Sequence, residues 1–91
     1  MNDPFVREQA TLWARKALAD AALSPEARIG RMYREAFARD PDPAELAAAG
    51  EFLAAQAALH GVSFAADPRH EATWADFAQA LFNAKEFIFV P

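Results

Sequence analysis

Residues 24–45 decide the fold, and they read SPEARIGRMYREAFARDPDPAE. One serine–proline pair, Ser24-Pro25, opens this stretch, and an aspartate–proline pair, Asp42-Pro43, lies near its end. A short oxygen-bearing side chain before proline is typical of a helix start, because the side chain caps free backbone N–H groups and proline has no N–H to leave unpaired. Between the two pairs, apolar residues recur with helical spacing at Ile29, Met32, Tyr33, Ala36 and Phe37. The stretch therefore predicts an amphipathic helix followed directly by the start of another.

The same start signal recurs elsewhere in the chain, at Asp3-Pro4 and Asp67-Pro68. Helices are therefore expected to begin near residues 4, 25, 43 and 68, and Asp42-x-x-Glu45 adds a capping-box pattern to the third. His60-Gly61-Val62 predicts the end of the third helix, since glycine can adopt the left-handed conformation there. A further capping signal at Asn83 predicts a break after the fourth helix. The predicted fold is all-α, a compact bundle of about four helices with an apolar C-terminal tail.

Each predicted helix carries one apolar stripe that we expect to form the core. Besides the residues of the second helix named above, the stripes comprise Val6, Ala10, Trp13, Ala17 and Ala21 with Phe5 and Leu12 beside them, then Leu46, Ala49, Gly50, Leu53 and Ala57 with Phe52, and finally Trp74, Phe77, Ala78, Leu81 and Phe82. Gly30 and Gly50 are expected at close helix crossings, because a mid-helix glycine costs about 1 kcal/mol. The tail Phe87-Ile88-Phe89-Val90 is expected to be buried against the helices or against another surface.

Composition excludes several classes of protein. The chain has 91 residues, which is the size of one small domain (residues 1–91), and it has no cysteine, so disulfides and a covalently attached c-type haem are ruled out within it. Its net charge of −4 argues against a chain that binds phosphate backbones or anionic lipid. No apolar run approaches the roughly 18 residues of a membrane span. We therefore expect no nucleic-acid partner and no membrane span.

The arginines of the second helix are the first candidate for chemistry. Arg28, Arg31, Arg34 and Arg39 could contact an anion or nucleic acid. The alternative is a solvated helix face whose charge is balanced by nearby acids, with Arg31 and Glu35 four residues apart. The second interpretation is preferred, since nucleic-acid binding by counterion release requires many uncompensated cations. Arg39 has two possible roles, holding free carbonyls at the helix end or pairing with Glu45.

Other residue types offer little material for an active site. His60 and His70 lack the spacing of a metal site, so both are interpreted as structural or exposed. Ser24 is interpreted as a helix cap, and Ser63 has no histidine at a spacing that would indicate a nucleophile and its base. Asp40 and Asp42 are interpreted as caps rather than as an acid–base pair. We predict no catalytic, cofactor-binding or metal-ligating residue, no cofactor, and no enzyme active site within this chain. The aromatic residues are assigned to the core.

Three stretches together resemble the C-terminal helical region of the planctomycete-type, cytochrome-c-associated domain of unknown function. They are Met1–Val6 with Glu8–Ala10, then Arg28-Ile29 and Met32–Arg34 with Arg39–Pro41 and Glu45-Leu46, and finally Trp74 with Ala80–Asn83 and Glu86-Phe87. The resemblance spans nearly the whole chain and implies a region at the end of a longer exported bacterial protein with a haem-binding domain near its start. It implies an exported or cell-envelope location, but no catalytic residue. Ala38 stands where the family often has glycine, which puts a left-handed helix cap there in doubt.

Two functions from different classes remain open. The first is a non-catalytic helical module, a structural or interaction domain whose partner is the upstream part of the same polypeptide or another protein. The second is one wall of an enzyme or redox site that another domain completes. In that case Tyr33, Arg34, Arg39 and the carboxylates of residues 40–45 would line the site.

Overall fold

The structure, a computed structural model, describes residues 3–84. Over that range the chain forms four α-helices, α1 (Pro4–Leu18), α2 (Pro25–Phe37), α3 (Pro43–Leu59) and α4 (Glu71–Phe82). The predicted all-α bundle of about four helices is therefore confirmed. The predictions for the tail Phe87–Val90 and for a new turn after Asn83 concern residues outside the described range.

The first three helices begin where the proline pairs predicted. The side-chain oxygen of Asp3 accepts from the Phe5 N–H at 2.7 Å, and that of Ser24 accepts from the Ala27 N–H at 3.1 Å. At α3 the capping box is complete, since Asp42 accepts from the Glu45 N–H and Glu45 accepts from the Asp42 N–H. Each cap supplies an acceptor for a helix N–H that has no partner within the helix.

The predicted start of α4 near residue 68 was wrong by three residues. Asp67-Pro68 forms a turn in which the His70 N–H donates to the Asp67 carbonyl, and α4 begins at Glu71 with His70 as its N-cap. The Pro68 carbonyl instead accepts from the Trp74 indole N–H at 2.8 Å. The turn thus supplies the hydrogen-bond partner that the fully buried Trp74 requires.

The helices α2 and α3 are each followed by a residue in the left-handed conformation, whereas α4 is not. After α3, Gly61 has a φ of 77° and the Val62 N–H donates back to the Ala57 carbonyl at 3.0 Å, as the sequence predicted. The expected break near Asn83 is also confirmed, because α4 ends at Phe82 with Asn83 as its C-cap. The doubt about a left-handed cap at Ala38 was misplaced, since this residue has a φ of 57° and a ψ of 30° without being glycine. Alanine pays a steric cost in that conformation.

The most extensive helix–helix contact in the described range is between α1 and α4, which pack antiparallel to each other. Arg15 near the end of α1 contacts Glu71 at the start of α4, whereas Arg7 in the first half of α1 reaches Asp76 and Gln79 further along α4. Trp74 of α4 is the largest fully buried side chain. The buried residues of the core cluster are Ala10, Ala14, Ala17, Leu18, Ile29, Met32, Tyr33, Ala36, Phe37, Ala49, Leu53, Trp74, Ala75, Phe77, Ala78 and Leu81.

Several packing predictions were wrong. Phe5 and Leu12 are 66% and 49% exposed, because the face of α1 that carries them lies opposite its buried alanines. Ala21 lies beyond the end of α1 and is exposed. Neither mid-helix glycine marks a helix crossing: a Cβ at Gly50 would meet nothing within 4 Å, and one at Gly30 would meet only the Arg34 side chain of its own helix.

Candidate functional site

The corner between α2 and α3 holds the residues that the sequence singled out as a possible site wall. Arg39 donates from both guanidinium ends to Glu45, with Nη1–Oε1 and Nη2–Oε2 distances of 2.7 Å each. The guanidinium also lies over the Tyr33 and Phe37 rings, 5.7 and 5.9 Å from their centroids, and its Nη1 donates to the Asp40 carbonyl. The predicted pairing with Glu45 is therefore present, whereas the carbonyl that Arg39 contacts belongs to Asp40, beyond the end of α2, and is not one of the helix-end carbonyls.

The Arg39 contact sets the ionisation of Glu45. Hydrogen bonds from the Arg39 guanidinium, and next from the Asp42 backbone N–H, lower the pKa of Glu45 from its ordinary value of 4.5 to about 2. Both donors favour the charged carboxylate. Because the shift moves the pKa away from neutrality, Glu45 is a permanently ionised bridge rather than a group that exchanges protons near pH 7.

Asp40 corrects one sequence-based assignment. It was interpreted as a cap together with Asp42, and only Asp42 caps a helix. Asp40 instead accepts from Arg34 Nη1 at 2.7 Å, an ion pair between two largely exposed side chains. The predicted pair of Arg31 and Glu35 is present with an N–O distance of 3.7 Å.

Arg28 is the polar residue that sequence reasoning missed. It was expected on the outer face of α2, and it is 1% exposed. Its Nε donates to the Ala17 carbonyl at 3.0 Å and its Nη2 donates to the Asp20 carbonyl at 2.9 Å, while the guanidinium lies 5.3 Å from the Trp74 ring centroid. Burial of the guanidinium, followed by the nearby positive charge of Arg69, lowers the pKa of Arg28. The negative charge of Asp20 acts in the opposite direction and raises it.

A second arginine reaches the same end of α1. Arg69, in the α3–α4 connection, donates from Nη2 to the Leu18 carbonyl at 2.7 Å. The final carbonyls of a helix have no partner within the helix and carry partial negative charge, so cations are favourable there. Arg28 and Arg69 together supply hydrogen-bond donors to the backbone carbonyls at the C-terminal end of α1.

A shallow surface depression of about 480 Å³ lies beside this end of α1. It is lined by Arg15, Leu18, Ala19, Asp67, Arg69 and Glu71. Two of its charged side chains bond to each other, since Arg15 Nε donates to Glu71 Oε1 at 3.0 Å, and Arg69 is held by α1. The residues proposed as a site wall, Tyr33, Arg34 and Arg39, do not line it.

The two histidines, interpreted from the sequence as structural or exposed, lie next to each other. Their ring centroids are 5.4 Å apart, His60 Nε2 is 2.7 Å from Asp76 Oδ2, and His70 Nδ1 is 2.9 Å from Thr73 Oγ1. Asp76 also accepts from Arg7 at 2.7 Å, so one carboxylate joins the end of α3 to α1 and α4. Among residues 3–84, no group of three or more histidine, cysteine or acidic side chains could hold a metal ion. The conformation of the α3–α4 connection brings the two histidines together, and no local sequence pattern predicts that conformation.

The serines have local structural contacts. Ser24 caps α2, as predicted. The Ser63 hydroxyl accepts from the Ala66 N–H at 3.4 Å, and the Ser63 carbonyl accepts from the Asp67 N–H at 2.8 Å. Both side chains therefore shape the backbone around them.

Large apolar side chains are exposed on two helices. Phe5 and Leu12 lie seven residues apart on α1, and Leu59 at the end of α3 is 80% exposed. Over the described part of the chain, no helix is both long enough and apolar enough to span a membrane.

Comparison with known proteins gives no match. No protein-family model, no curated protein and no solved structure matches this chain.

Proposed function

We propose that this chain is a non-catalytic helical module that serves as a structural or interaction domain of a larger exported, cytochrome-c-associated bacterial protein. One observation carries the first half of the proposal: each of the seven arginines in the sequence contacts an acceptor within the chain. These are Arg7 with Asp76, Arg15 with Glu71, Arg28 with Ala17 and Asp20, Arg31 with Glu35, Arg34 with Asp40, Arg39 with Glu45, and Arg69 with Leu18. Arginine is the side chain best suited to bind phosphate or carboxylate ligands. Its engagement in helix ends and helix contacts favours a structural role.

The exposed apolar side chains supply the argument for docking. Burying a Phe or Leu side chain fully is worth roughly 1.5–3 kcal/mol. Phe5, Leu12 and Leu59 are 66%, 49% and 80% exposed, so a partner surface that covered them would gain the corresponding share of that contribution. In the family that the sequence resembles, this region lies at the end of a longer polypeptide. The resemblance therefore supports the upstream part of the same polypeptide as the partner.

The test is site-specific photo-cross-linking in the source organism. A photoreactive phenylalanine analogue is placed at position 12 or 59, and at exposed position 80 of α4 as the matched control. The proposal predicts a discrete cross-link from position 12 or 59, but not from 80, to a haem-containing segment or to a partner co-purifying with it. Equal cross-linking from all three positions would contradict docking through the apolar side chains. A discrete cross-link to a chain without haem would contradict the cytochrome-associated part alone.

The alternative is one wall of an enzyme or redox site, and the displaced pKa of Glu45 is the observation in its favour. The bidentate contact with Arg39 explains that displacement without a substrate. Arg39→Lys separates the two proposals. A structural corner predicts a lower urea midpoint for this variant, because lysine cannot reproduce the bidentate contact. A site wall predicts in addition a loss of activity in the assembled protein, measured at a urea concentration or temperature at which the variant is still folded.

A further inference from the structure

We draw no further inference here: the strongest candidate, the outer face of α3 where exposed alanines, Glu51 and Leu59 lie beside Gly50, is an unpartnered apolar helix surface, and nothing in the structure shows what covers it.

Discussion

Replacing Arg28 with methionine tests the role of the buried guanidinium. Methionine is unbranched and fills irregular core space, so Arg28→Met keeps most of the packing of the side-chain stem and removes the hydrogen-bond donors. The carbonyls of Ala17 and Asp20 then lose the donors at 3.0 and 2.9 Å, and the Trp74 ring loses its cation at 5.3 Å.

The magnitude follows from these contacts. Leaving a buried acceptor without a partner costs about 1–3 kcal/mol, and a desolvated cation–π contact is worth about 1–2 kcal/mol. Since Asp20 is exposed and water can replace the donor to its carbonyl, we expect a loss of roughly 2–5 kcal/mol in the free energy of unfolding. For a domain of this size, that loss corresponds to a decrease in Tm of roughly 8–40 °C.

The assay is urea unfolding followed by far-UV circular dichroism, with Arg31→Met as the matched control on the same helix. Arg31 makes one exposed ion pair with an N–O distance of 3.7 Å, so its replacement is expected to cost less than about 1 kcal/mol. The loss in the free energy of unfolding for Arg28→Lys is expected to lie between those of the two methionine variants, because lysine keeps the charge but not the planar guanidinium with its several donors. Equal losses for Arg28→Met and Arg31→Met would refute the conclusion that the hydrogen bonds of Arg28 to the end of α1 stabilise the fold.

Three further predictions concern single positions. Ala38→Gly should raise the free energy of unfolding by about 1 kcal/mol, since glycine adopts the left-handed conformation without the steric cost that alanine pays. Gly50→Ala should also raise it by about 1 kcal/mol, because alanine favours the helix and its Cβ would meet nothing within 4 Å. The lowered pKa of Glu45 means that its ionised form is favoured by folding, so its contribution is present above pH 4.5 and is lost as the pH falls towards about 2. Glu45→Gln should flatten the pH dependence of stability across that interval.

The controls for these predictions lie on the exposed face of α3. Ala48→Gly should lower stability by about 1 kcal/mol, opposite in sign to Ala38→Gly, because Ala48 is inside a right-handed helix. Glu51→Gln is the matched control for removal of a carboxylate, because Glu51 is exposed and does not accept from an arginine as Glu45 does. A stabilising Ala48→Gly, a destabilising Gly50→Ala, or equal pH profiles for the two glutamine variants would each count against the corresponding explanation.

The helices were predictable because their signals are local. Ser24-Pro25 and Asp42-Pro43 each place a cap and a proline within two residues, and the cap bonds to a backbone N–H within the next turn. The apolar spacing of α2 depends only on helical geometry, and its five stripe residues are buried. Asp67-Pro68 carries the same signal but starts a turn, in which the Pro68 carbonyl accepts from the Trp74 indole N–H.

The candidate site residues were predictable only where their partners are close in sequence. Arg39 and Glu45 are six residues apart, and their pairing was among the predicted alternatives. Arg28 reaches back across a chain reversal to the end of α1, a contact that its place in α2 alone does not predict. The contact between His60 and His70 depends on how the α3–α4 connection folds back. Each of these depends on tertiary packing, which periodicity does not specify.

The guanidinium of Arg28 is a structural part of the bundle, bonded to the end of α1. This is tested by hydrogen exchange of the arginine Nε–H groups, followed by ¹⁵N NMR on the full chain. The Nε–H of Arg28 should exchange far more slowly than that of the exposed Arg34, because it donates to the buried Ala17 carbonyl. Equally fast exchange at the two arginines would show that the Arg28 guanidinium is not bonded to α1.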